Sequence, residues 1–235
     1  MRHDPILSLR NVTKEFVLHA QGATRLPVFD DVSFDLQAGD CLALTGPSGI
    51  GKSTLMRMIY GNFRCWSGEI LVRHDGRKVD IASTHPHRVM EVRRFTMGYV
   101  SQFLSVIPRV ATLDVVMEPA LALGVPAAEA RGRAEALLTR LRIPERLWLL
   151  SPVTFSGGEQ QRVNLARGFV ARYPLMLLDE PTASLDAENR ETVISMIAEA
   201  RDAGAAIIGI FHDQGARDEV CNRGLDLRDF MVKAA

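Results

Sequence analysis

The run Gly46-Pro47-Ser48-Gly49-Ile50-Gly51-Lys52-Ser53-Thr54 restricts the possible folds more than any other stretch of this chain. It fits a phosphate-loop pattern: a glycine, four residues, then Gly-Lys-Ser. Glycines let backbone N–H groups face phosphate oxygens with no Cβ in the way. Lys52 can reach the terminal phosphates, and the Ser53 hydroxyl can ligate Mg²⁺. Such a loop works when a strand delivers it and a helix leaves it, because the positive end of the helix then faces the anion. Both flanks are present. "CLALT" (41–45) is a short apolar run of the kind found in buried central strands. "STLMRMIYG" reads as a helix stopped by Gly61.

The rest of the chain alternates strand and helix. Residues 6–18 and 28–36 read as strands separated by turn chemistry at 21–27, and "GEILVRHDGRKVDI" reads as a hairpin turning at Asp75-Gly76. "MGYVSQ" (97–102), "LMLLDEP" (175–181) and "AAIIGIFH" (205–212) are apolar strands that each end on polar residues. Helical spacing marks "LDVVMEPALALG", "AAEARGRAEALLTRL", "QQRVNLARGFVARYP" and "ETVISMIAEARDAG". The expected fold class is α/β, with a mostly parallel sheet flanked by helices. An antiparallel β part is expected near the start, and a helical lobe at about 103–165 inserted into the α/β core. The whole chain, 1–235, is expected to be one domain. His85 and His87 fall in a stretch read as a solvated loop.

Ligands of such sheets bind beyond the carboxyl ends of the strands, where the candidate residues collect. Asp179 follows four apolar residues and would reach the Mg²⁺ near Ser53, through water. Glu180 is next and would point the other way, towards the attacking water. Gln102 has the reach to touch both Mg²⁺ and that water. His212 could donate to the γ-phosphate, and Phe16, read as ending an early strand, could stack on adenine. A second phosphate-cradle pattern, "FSGGEQQR" from Phe155, raises the question of why one domain needs two.

Charge excludes some partners. Lys plus Arg number 28 and Asp plus Glu 28, so no bulk attraction draws the chain to nucleic acid or to an anionic membrane. Three cysteines without a CxxC pair argue against a disulfide framework or a zinc site and for a reducing compartment. The start lacks a signal peptide's apolar core, and no run approaches the ~18 apolar residues of a membrane span. A cytoplasmic location is expected, with no direct membrane insertion.

The glycine loop, Gln102, "FSGGEQQR", "LLDEP", "ASLD" (183–186) and His212 occur in the order found in ABC-type ATPases, which the chain resembles over essentially its whole length. The resemblance implies an ATP- and Mg²⁺-dependent ATPase in which two such domains pair head to tail, as a homodimer or an ABC heterodimer. The second cradle of one domain would close over the ATP of the other. Ser156, Gly157 and Gly158 would meet the γ-phosphate from across the interface, Glu159 and Gln160 would shape the helix start, and Asp186 would lie nearby. Phe155 stands where Leu is more usual, and Phe16 where many members use Tyr. A narrower resemblance, carried by "GYVSQFLSVIPRV" and "IPERLWLLSPVTFSGGEQQRVNLARGF", is to the ABC proteins of the bacterial carbon–phosphorus lyase system. It implies lyase subunits and a PhnK-type ABC protein as partners, and support for making α-D-ribose 1-methylphosphonate 5-triphosphate. The alternative is the ATPase subunit of a transporter with a separate permease. A module that hardly turns ATP over is disfavoured by the presence of Glu180 and His212.

Overall fold

A computed structural model describes residues 4–18, 24–105 and 108–231. Two sheets form its frame. The first is antiparallel, with β1 (Leu7–Leu18) between β2 (Thr24–Leu36) and β4 (Ser67–His74), and β5 (Arg77–Asp80) on the far side of β4. The second is parallel, in the order β6 (Met97–Val100), β7 (Leu175–Asp179), β8 (Ala206–Ile210), β3 (Cys41–Thr45), β9 (Arg223–Asp226). The β4–β5 turn at Asp75 and Gly76 has φ of 50° and 70°. Those are the two positive angles a tight hairpin turn requires.

Strands β3, β7 and β8 are buried on both faces, and their side chains sort by parity. Leu42, Leu44, Leu175, Leu177, Ile208 and Ile210 join a core with the antiparallel sheet and α1 (Lys52–Ile59). Cys41, Met176, Leu178 and Ile207 point into a second core. That core includes residues of α3 (Thr112–Ala122), α4 (Ala127–Arg140), α5 (Gly157–Phe169) and α6 (Ala187–Asp202). A period of two with both sides apolar is why these strands read as unbroken hydrophobic runs. Helices α3, α4 and α5 pack on one another as a helical layer, and α5 also rests on β6.

Several boundaries differ from the sequence reading. Residues 24–27 belong to β2 and not to a turn, because the β1 pairing extends to Leu18 opposite Thr24; residues 21–23 of that turn lie outside the described residues. Phe16 therefore sits within β1 and does not end it. β6 stops at Val100 and β8 at Ile210, so Gln102 and His212 stand on the loops just beyond their strands. His85 and His87 open a helix, α2 (Pro86–Phe95). His85 caps it by accepting from the His87 N–H at 3.3 Å, with Pro86 in the first turn. A short helix α7 (Gln214–Val220) and the edge strand β9 were not anticipated. No described helix is long and apolar enough to cross a membrane.

Candidate active site

The loop between β3 and α1 turns on Gly51. Its φ is 110°, and a Cβ there would lie 2.5 Å from Val28 Cγ1, so backbone angle and space both demand glycine. Lys52 folds back over the loop, its ammonium donating to the Gly46 and Pro47 carbonyls at 2.8 and 3.0 Å. A cleft of about 220 Å³ opens here, lined by Ser48, Gly49, Gly51 through Thr54, Glu180, Ile210 and His212. Parallel pairing of β3 with β8, and of β8 with β7, brings these distant residues to one sheet edge.

Asp179 is the last residue of β7, and strand parity aims it towards α1. Its Oδ1 accepts from Ser53 Oγ at 3.2 Å, and its Oδ2 from the Tyr99 hydroxyl at 3.3 Å. It is only 3% exposed. Burial pushes its carboxyl above the ordinary range, and the adjacent Glu180 charge adds to this. The Tyr99 hydroxyl is itself pushed up to about 12, first by burial and then by Asp179. A buried carboxylate held by two long hydrogen bonds beside a serine hydroxyl suits a hard, oxygen-seeking dication. The donor set therefore fits Mg²⁺.

Glu180 leaves the strand geometry with φ of 55°, a left-handed conformation that costs a non-glycine residue ~1–2 kcal/mol. Its N–H still donates to the Ile210 carbonyl at 3.1 Å. The turn delivers its carboxylate to His212, whose Nε2 lies 2.7 Å from Oε1, while the Gln102 amide donates to Oε2 at 3.2 Å. Asp179 and Glu180 thus face different partners; Glu180 lies just past the end of β7 in a left-handed conformation, so strand alternation alone does not set its direction. Such strain collects where a side chain must be aimed.

Ser156 and Gly157 are exposed at the start of α5 and do not line this cleft. Ser156 caps the helix. Its hydroxyl donates to Glu159 Oε2 at 2.7 Å, its N–H donates to the same oxygen at 2.9 Å, and the Glu159 N–H returns to its Oγ at 3.4 Å. Those bonds hold the Glu159 carboxyl below its ordinary range, the serine hydroxyl contributing most. Glu159 therefore fixes the helix start, and Gly158 meets the Ser184 carbonyl, 3.3 Å from where a Cβ would stand. Gln160 ties back to the Phe155 and Val153 carbonyls. Asp186 caps α6 by accepting from the Asn189 N–H at 2.8 Å. Phe16 lies outside the cleft, braced edge-on by Phe63 with ring centres 5.8 Å apart and by the Lys14 ammonium 4.5 Å from its own centre.

Sequence reasoning missed three residues. Tyr99 contacts Asp179 from β6, Gln161 reaches the Glu180 and Pro181 carbonyls at 3.5 Å, and Asn164 donates to the Ser101 carbonyl at 2.6 Å. The last two link α5 to both strand tips. Their helical spacing with Gly157 and Gly158 was legible, but not the partners.

Residues 29–183 match the ABC transporter family. The chain belongs to that family. It is an ABC ATPase, and ATP is its nucleotide. It is 34% identical over 97% of its length to the macrolide export ATP-binding/permease protein MacB of Bradyrhizobium diazoefficiens, but spans only 34% of that longer protein. It is 32% identical to the lipoprotein-releasing system ATP-binding protein LolD of Idiomarina loihiensis, over 94% of this chain and 96% of that one. The dimeric, post-hydrolysis cassette MJ0796 bound to ADP and Pi superimposes with a TM-score of 0.85 at 27% identity, covering 97% of each chain. These relatives favour the transporter alternative, and they lend no support to the carbon–phosphorus lyase expectation.

Proposed function

We propose that this ABC ATPase is the nucleotide-hydrolysing subunit of a transporter, working as a head-to-tail pair with a separate membrane permease. One observation carries the pairing. The second phosphate-cradle motif is exposed at the start of α5, while Lys52, Ser53, Glu180 and His212 share a cleft that it does not line. A partner's motif facing that cleft would complete it, and C₂ symmetry then forms two complete sites at once. Ser53, Asp179 and Gln102 would hold Mg²⁺, which supplies charge neutralisation at the phosphates. Lys52 and the loop N–H groups bind the β- and γ-phosphates, and Phe16 stacks the base. Glu180 takes the proton of the attacking water, held in place by His212 and Gln102. Ser156, Gly157 and Gly158 of the other subunit close the site.

Mixing two inactive variants tests this. Lys52→Ala removes the loop cation, and Ser156→Arg puts a bulky cation where the partner's phosphate should approach. In a mixed dimer, one site combines an intact loop with an intact α5 motif. Partial recovery of ATP hydrolysis is expected. No recovery, with mixed dimers present by mass, would mean that each chain completes its own site.

The name of the MacB relative, an ATP-binding/permease protein, favours a permease as partner. A groove of about 670 Å³ between α2, α3 and α5, with Met90 and Phe95 exposed among Arg93, Arg94 and Glu118, is where such a permease would dock. A second reading is the carbon–phosphorus lyase system. It rests on the long segments, quoted above, that resemble its PhnL-type ABC proteins. In that reading the partners are soluble lyase subunits and a PhnK-type ABC protein, in the cytoplasm. Capture with a Glu180→Gln chain plus ATP and Mg²⁺ separates the two: an integral membrane permease supports transport, and lyase subunits support the second reading.

A further inference from the structure

Cys41 opens β3 and Cys221 directly follows α7, 180 residues apart in sequence, yet their sulfurs lie 3.3 Å from each other. Both are free thiols. The approach is fixed by the chain around them. The Asn222 N–H donates to the Cys41 carbonyl at 3.1 Å, and its side-chain oxygen accepts from the Cys41 N–H at 2.8 Å. Arg201 holds the Val220 carbonyl at 2.7 Å. Thus the backbone on both sides of Cys221 is pinned while the sulfurs face each other.

The two thiols differ in access and in charge. Cys41 is fully buried. Cys221 is half-buried at the wall of a cavity of about 330 Å³ that Arg217 and Arg223 also line. The contact with Cys41 holds the Cys221 thiol below its ordinary value, and Arg217 and Arg201 add to this; the same contact and burial push Cys41 up. An accessible, thiolate-prone cysteine beside a buried one is the arrangement of an attacking and a resolving thiol. The third cysteine, Cys65, has no thiol neighbour, and burial raises its pKa.

We propose that Cys41 and Cys221 form a reversible disulfide, a redox site that ties the strand leading into the phosphate loop to the helix following His212. The oxidant is a small-molecule disulfide. The Cys221 thiolate attacks one of its sulfurs, forming a mixed disulfide and expelling one thiolate, which takes up a proton. Cys41 gives its proton to solvent and attacks Cys221 Sγ, expelling the second thiolate. Two electrons pass to the oxidant, and two protein thiols become one S–S bond. Disulfides of this kind in reducing compartments are transient and redox-sensing.

The test treats the full chain with oxidised glutathione, blocks the remaining thiols, and measures intact mass and melting temperature. The expected product has lost two hydrogens, keeps one alkylatable thiol, and yields a cross-linked peptide pair containing Cys41 and Cys221. Closing so long a loop should raise Tm by ~5–15 °C, reversed by dithiothreitol. Cys65→Ser should keep the cross-link and the shift, and Cys221→Ser should lose both. Wild-type chain that stays fully reduced, carries a persistent glutathione adduct, or cross-links through Cys65 would overturn the proposal. Because wild-type mass decides it, misfolding of a variant cannot mask the result.

Discussion

Replacing Glu180 with Gln changes one oxygen for an amide nitrogen and leaves the side-chain shape intact. In the wild-type site, one carboxylate oxygen lies 2.7 Å from His212 Nε2 and the other accepts from Gln102 at 3.2 Å. A glutamine can still accept one of these; its NH₂ must face the other partner, which Gln102 can accommodate by turning its own amide over. The structural loss is therefore small. The His212 side chain is 63% exposed, so its contact with Glu180 contributes under ~1 kcal/mol. That corresponds to a fall in Tm of no more than ~4 °C for a chain of this size. The kinetic loss should be far larger. Removing a positioned general base lowers rate by ~10²–10⁴, or ~3–5 kcal/mol of barrier. Lys52 and the loop are untouched, so ATP affinity should stay within about a factor of three, ~0.6 kcal/mol. The assay is phosphate release at saturating ATP and Mg²⁺, with nucleotide affinity by calorimetry and Tm on the same samples. Hydrolysis within a few-fold of wild type would refute the role given to Glu180. A rate loss matched by a large drop in Tm would show that the effect is structural.

Asp179→Asn removes a poorly solvated charge while keeping the shape, so the nucleotide-free chain should melt ~2–8 °C higher, while the extra gain on adding ATP with Mg²⁺ shrinks. The sign follows from linkage. Folding raises the Asp179 pKa, so the wild type is disfavoured as pH rises through the folded value, and the Tm gap between variant and wild type should be widest at high pH and close in acid. A gap independent of pH would contradict the burial argument. Gly51→Ala places a Cβ 2.5 Å from Val28 at φ of 110°, and should cost ~1–3 kcal/mol and weaken nucleotide binding together. Unchanged melting in scanning calorimetry would show that the loop adapts.

Local pattern was enough for the elements whose two faces share one environment. β3, β7 and β8 read as strands because both sides of each are buried, and α1 because Gly61 stops it. The phosphate loop was legible because its backbone chemistry demands glycine and lysine at fixed positions. The strand period of two reads Asp179 and Glu180 as diverging, but β7 ends at Asp179, and the φ of 55° that aims Glu180 has no local signal. α2 was hidden because Ser-Thr-His-Pro-His reads as loop, whereas His85 is the cap of the helix and Pro86 its first residue. α7 and β9 are too short for periodicity to register; pairing with β3 sets the place of β9, and α7 packs against α6. Everything that makes a site from separated residues came from that sheet order: Ser53 against Asp179, Gln102 and His212 on one carboxylate, and Cys41 against Cys221. A parallel strand must be paired through a crossover with partners far away in sequence, and only the closed core decides which strands those are.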